Sequence, residues 1–219
     1  MNKKIVVAVM GLMYAMPVGA TIISGTVTGG SAKAAGGTFV KLTVPLANPF
    51  GPPNSVGNDN FQSPNLFGFD EDQNIVLAAP LTVDVGSSPI PVGTTVASHY
   101  IFFDPGPAEQ VVGTVNFDAP VLAILTSTGT LAASDFLAKT GVNYLNPTLR
   151  GLEAGDSVTI SGPNQILFDT FASSPGDYVR VLTAFSPGAA TAPEPGGLAL
   201  LASGLAGLMR IARKKRHRT

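Results

Sequence analysis

Apolar and polar residues alternate with a period of two in short blocks separated by turn formers. In the block 111–117, Val111, Val115 and Phe117 share one parity while Thr114 and Asn116 take the other. That is the pattern of a strand with one face buried. Strands are predicted over 21–28, 38–44, 75–85, 95–103, 110–117, 121–126, 157–161, 165–171 and 177–185. In the last block both parities carry apolar residues: Val179, Val181 and Phe185 on one, Tyr178, Leu182 and Ala184 on the other. A central strand covered on both faces has this character. Asp104-Pro105-Gly106-Pro107, Leu152-Glu153-Ala154-Gly155-Asp156, Gly162-Pro163-Asn164 and Ser173-Ser174-Pro175-Gly176 are turn sequences between blocks. Only 131–138 reads as helix, about two turns of it.

The stretch 29–37 is a glycine-rich connection, and 45–74 reads as one long loop. That loop holds Pro49, Pro52, Pro53 and Pro64 together with Phe50, Phe61, Phe67 and Phe69. Rings in such number predict a cover pinned over the core rather than a free loop. There is no βαβ rhythm and no internal repeat. The predicted fold class is therefore all-β: a single β-sandwich ectodomain over 21–188, with jelly-roll among its topologies.

The two ends differ from this body. Lys3 and Lys4 precede an apolar run that ends in Pro17-Val18-Gly19-Ala20, with small residues where a signal peptidase requires them. Residues 1–20 are expected to be a signal peptide. At the other end, 196–209 is without charge and apolar on every helical face. Extended to 212, it would make a helix about 25 Å long, enough for one transmembrane crossing near the lower limit. A basic tail, 213–219, follows and is expected to stay cytoplasmic. Residues 189–195 form the linker before this span.

Pro193-Glu194-Pro195, the apolar span and the terminal Arg213, Lys214, Lys215, Arg216 and Arg218 together resemble the PEP-CTERM sorting signal of bacterial surface proteins. The resemblance covers roughly the last 27 residues, with Ala192 before the motif where Val is frequent in the family. It implies that Pro193, Glu194 and Pro195 are a recognition motif for an exosortase and that the five basic residues are retention charges. It further implies an exported protein, anchored at first in the inner membrane with its ectodomain outside. Processing would then place it at the cell surface or in an exopolysaccharide matrix. Signal peptidase, exosortase, the membrane and that matrix are the partners this reading expects.

Composition narrows the chemistry. The chain lacks cysteine, so disulfides and thiolate catalysis are excluded. Between Thr21 and Pro193 five bases face thirteen acids, a net charge of −8. Such a body repels phosphate backbones, and nucleic acid is not expected as a partner. His99 is the one histidine of the body, so a histidine-rich zinc centre within one chain is excluded. Its apolar neighbours predict a structural role, and no Gly-x-Ser-x-Gly elbow nominates a nucleophile.

No cofactor is expected; calcium alone stays open, because two acidic loops, Asn58-Asp59-Asn60 and Asp70-Glu71-Asp72-Gln73-Asn74, offer hard oxygen ligands. The second opens like an EF-hand, but Ile75 stands where the sharp turn needs glycine and Leu81 where the closing glutamate belongs. A solvated acidic turn is the plainer reading of it. Asp84, Asp104, Asp118, Asp156 and Asp169 could supply paired carboxylates for sugar hydrolysis, yet several sit in turns, where Asp commonly stabilises the backbone. Asn146-Pro147-Thr148 is closed to glycosylation by its proline. The expected function is that of a noncatalytic surface or matrix protein processed by an exosortase. A carbohydrate- or calcium-binding module and a secreted hydrolase are the alternatives.

Overall fold

Why both parities of the last strand are apolar becomes clear from its neighbours in a computed structural model, which describes residues 22–185. The chain runs β1 (Ile22–Gly29), α1 (Gly30–Ala34), β2 (Phe39–Lys41), β3 (Ser55–Val56), β4 (Leu66–Asp70), β5 (Ile75–Val76), β6 (Val85–Gly86), β7 (Thr95–Phe103) and β8 (Glu109–Phe117). It continues through β9 (Val121–Leu125), α2 (Thr128–Ala133), β10 (Asn143–Tyr144), β11 (Ser157–Gly162), β12 (Gln165–Ala172) and β13 (Asp177–Thr183). One sheet has the order β1-β8-β12-β11, and all its pairs are antiparallel. The larger sheet has the order β2-β4-β7-β13-β9-β6, with β5 added on β7. In it β2 and β4 run parallel, while β13 lies centrally between β7 and β9. A separate parallel pair joins β10 to β3.

Ile101, Phe103, Ile124, Val179 and Val181 of the larger sheet pack with Val115, Phe117, Ile166 and Phe168 of the smaller one. The opposite parity of the larger sheet carries Tyr100, Phe102, Tyr178 and Leu182, and these are buried too. Leu46, Phe61, Leu81, Ile90, Leu131 and Leu137, from loops and short helices, cover them. The larger sheet is thus enclosed on both faces. Phe61 is the hinge pin of the cover, with its ring centroid 4.8 Å from Phe67 and 4.9 Å from Phe102.

This corrects the expected all-β single sandwich and its jelly-roll variant. The fold is mixed α/β, with open antiparallel and mixed sheets, two short α-helices and an irregular layer over the larger sheet. The physical reasons are local. Gly30 takes φ +80°, and a Cβ there would lie 2.1 Å from the Gln110 carbonyl oxygen, so the glycine lets β1 turn into α1 against β8. Ser127 caps α2 by accepting from Thr130 N, which starts that helix earlier than 131. The expected strand 75–85 is cut down to Ile75–Val76, and the expected long loop 45–74 contains β3 and β4.

The signal segment 1–20, the linker with Pro193, Glu194 and Pro195, the span 196–212 and the retention charges Arg213, Lys214, Lys215, Arg216 and Arg218 lie outside the described residues. Among the described residues no helix is long and apolar enough to cross a membrane, and α2, the longer of the two, has six residues. The expectations of a transmembrane anchor, of an exosortase and membrane partnership built on it, and of an inner-membrane stage of localisation are corrected on that finding. All described residues fall in one compact unit, Gly19–Ala189.

Candidate functional site

The acidic run 70–74 does not form a solvated turn. Glu71 is wholly buried and meets Arg180 in a two-pronged pair: Arg180 Nε donates to Oε2 at 2.6 Å and Nη2 to Oε1 at 2.9 Å. The Tyr144 hydroxyl donates to Oε1 and the Ser98 hydroxyl to Oε2, each at 2.6 Å. Arg180 Nη1 donates to Ser134 Oγ and to the Leu131 carbonyl, tying the helical cover to β13. Asp70 pairs with Lys41 at 2.8 Å and with His99 at 2.9 Å, and accepts from Ile22 N. Burial works to raise the Asp70 carboxyl, but His99 and Lys41 outweigh it and hold it well below the usual carboxylate range. Asp72 takes Thr140 and Lys139. The three acids of the run are thus engaged by side chains of the fold.

His99 Nε2 lies 3.1 Å from Thr183 Oγ1 while Nδ1 faces Asp70 Oδ1, an order that resembles a hydroxyl–imidazole–carboxylate relay. Both His99 and Thr183 are fully buried, and the His99 ring packs on Phe117 at 4.9 Å. A substrate has no approach to that hydroxyl, so the arrangement works as a strut across three neighbouring strands, β4, β7 and β13, of the larger sheet. Most of the carboxylates considered for sugar hydrolysis accept hydrogen bonds from the fold. Asp84 accepts from Thr126 N, Ser127 N and the Thr130 hydroxyl at the start of α2. Asp156 accepts from Phe171 N at 2.7 Å, and Asp169 takes Gln110. Asp104 accepts from Phe61 N, and Asp118 follows the end of β8.

One cleft stands out by its lining. It has a volume of about 240 Å³ and is bounded by Thr128, by 148–153 and by 172–177. The turn sequences before β11 and β13 form two of its walls, which is why side chains from distant parts of the chain converge there. Thr148, Ser173, Ser174 and Glu153 are exposed at its mouth, with Leu149 as an exposed apolar surface. Arg150 reaches Asp135 at 2.6 Å, in the 3-10 turn that also carries the exposed Phe136. Phe171, also exposed, directly precedes the cleft residue Ala172. Of this lining only the segments 152–153 and 173–176 were marked by sequence reasoning, as parts of turns and not as binding residues.

Asp177 closes the inner end of the cleft. It is 3% exposed, and its Oδ2 has no hydrogen-bond partner among the described residues. Burial pushes its carboxyl up to about 7, and the charges of Asp156 and Glu153 add to the rise. The neighbouring Thr170 hydroxyl opposes the shift without completing a hydrogen bond. Among the described residues no group of three His, Cys, Asp or Glu side chains could hold a metal ion. No family model matches the chain, and no curated protein or solved structure matches it either.

Proposed function

We infer that the protein is a noncatalytic binding module whose ligand is a neutral carbohydrate, held at the cleft bounded by 148–153 and 172–177. The observation that carries this reading is the union, at one opening, of exposed hydroxyls and a carboxylate with exposed apolar surface. Sugars present both kinds of surface, hydroxyl edges that hydrogen-bond and C–H faces that pack on rings. Thr148, Ser173, Ser174 and Glu153 suit the edges, while Leu149 suits the faces. The acidic lining and the body's net charge of −8 disfavour uronic or sulfated glycans. A catalytic role fits less well, because Asp177, the one carboxyl there able to hold a proton near neutrality, presents almost no surface to the cleft.

An array of neutral oligosaccharides, with acidic ones for comparison, tests the reading on the full chain. Binding to neutral members is expected, and Glu153→Gln and Leu149→Ala should each weaken it roughly tenfold, about 1.4 kcal/mol. Both side chains are exposed, so the melting temperature should stay within a degree or two. Binding confined to acidic glycans, or unchanged in both variants, would sink it.

The likeness of the tail to a PEP-CTERM signal supports a separate proposal, concerned with processing alone: the chain is cut at or near Pro193-Glu194-Pro195. Intact-mass spectrometry of the protein from its native cells should show the loss of the residues beyond that motif. A mature protein that keeps Arg213 to Thr219 would contradict it.

A further inference from the structure

Asp177 is the buried acid in the wall of the cleft, and its surroundings leave it without a counter-charge. From β12 it meets the Thr170 hydroxyl, and from the 152–156 turn the charges of Glu153 and Asp156. β7 sets Phe103 opposite it, and Gly176, just before it, packs against Asp104. Glu109 of β8 stands opposite the cleft residue Ala172. Arg180, on β13 itself, has the opposite parity and is taken by Glu71. The ionisable neighbours on this side are thus acids, with one exception. Arg150 is the one base of the lining, and Asp135 holds it at 2.6 Å. Among the described residues no lysine, arginine or histidine makes an ion pair with Asp177.

An ionised carboxyl so placed is screened chiefly by the water that fills the cleft beside it. A sugar seated there displaces that water and leaves a less polarisable medium. The charges of Glu153 and Asp156 then bear on Asp177 more strongly, and its own desolvation deepens. No hydrogen bond from the sugar to Oδ2 offsets this, because that oxygen is closed off from the opening. The protonated carboxyl has no charge to screen and is indifferent to the exchange. The bound protein therefore holds the proton more tightly than the free one. Burial already pushes the free carboxyl up to about 7, so near neutrality both forms are populated. Affinity is then greatest below the free value, falls as pH rises through it, and levels off above the bound value.

We propose that binding of a neutral sugar in the cleft is coupled to uptake of a proton from solvent by Asp177, so that the protein holds its ligand more tightly in mildly acidic than in mildly alkaline surroundings. The coupling rests on the reading of the cleft as a sugar site and adds its regulation. Asp177 acts from the wall of the site, through charge and desolvation.

The test is calorimetric titration of the full chain with the strongest-binding neutral oligosaccharide of the array, at about pH 5.5 and about pH 8.5. A third titration, near pH 7.5 in two buffers of different ionisation enthalpy, counts protons. If the bound form holds the proton about tenfold more tightly, affinity should be roughly five- to tenfold higher at the acidic pH, and about half a proton should be taken up near pH 7.5. Asp177→Asn keeps the side-chain shape and cannot ionise. It should bind with the acidic-pH affinity at both pH values and lose the proton uptake. Asp104→Asn, outside the lining, should keep the pH dependence. Equal wild-type affinity at the two pH values, or a dependence that survives Asp177→Asn, overturns the proposal and leaves the sugar site standing. Absence of sugar binding at either pH removes both. If Asp177→Asn fails to fold, the 13C resonance of the Asp177 carboxyl in the wild-type chain decides: a titration midpoint raised by saturating sugar supports the coupling, and an unmoved one overturns it.

Discussion

Glu71→Ala is expected to destabilise the protein by about 3–5 kcal/mol, the largest effect of any single side chain outside the apolar core. A small domain has only about 5–15 kcal/mol in total. Removing the carboxylate leaves the Arg180 guanidinium buried with its charge uncompensated, and leaves Tyr144 and Ser98 without an acceptor. Arg180→Met should cost a similar amount by stranding Glu71. The double replacement Glu71→Met, Arg180→Met should be more stable than either single variant, since no charge remains to be buried. Urea unfolding of the four proteins closes the cycle. If the single losses simply add in the double variant, the pair is not the coupled unit described above.

The second large effect is a dependence of stability on pH between 5 and 8. Asp177 is pushed up to about 7 and Asp104 to about 6, against an ordinary carboxyl near 3.8. The folded state therefore holds these protons more tightly than the unfolded chain. Their contribution is fully present below about pH 4 and is lost as pH rises through the folded values. Asp70 has the opposite sign, because its carboxyl is held low, but its contribution is already complete above about pH 4. In metal-free buffer the protein should thus be roughly 2–4 kcal/mol less stable at pH 8 than at pH 5, a fall of about 5–12 °C. Asp177→Asn should remove most of that slope and be the more stable form at pH 8. Calorimetry at several pH values would show it. A flat profile, or a variant that melts lower at pH 8, contradicts the assignment of the strain to Asp177.

Much of the sheet was legible in the sequence because its signals were local. The predicted 95–103, 110–117, 121–126, 157–161 and 165–171 lie within a residue or two of β7, β8, β9, β11 and β12. The double-sided apolar pattern of 177–185 correctly marked β13 as a central strand. What escaped depended on distant partners. β4 was hidden because Leu66-Phe67-Gly68-Phe69 has a glycine in its middle and Pro64 just before it, so propensity argued for a loop. Its strand character comes from pairing with β7, where a Cβ at residue 68 would meet Ile101 at 2.7 Å. Glu71 read as part of a solvated acidic run because its partner Arg180 lies 109 positions away. Arg180 itself carried a clue, a lone charge between Val179 and Val181 in a buried strand.

The cleft was legible in its parts and not as a whole. The turns 152–156 and 173–176 were read correctly as turns, but their meeting depends on how β11 and β13 sit in different sheets.

Chemical-shift mapping of the uniformly labelled full chain, titrated with the strongest neutral oligosaccharide from the array, tests the cleft most directly. Shifts concentrated in the backbone amides of 148–153 and 171–177, saturating with ligand, are the predicted result. Saturable shifts located elsewhere on the domain, or none at millimolar sugar, would contradict it.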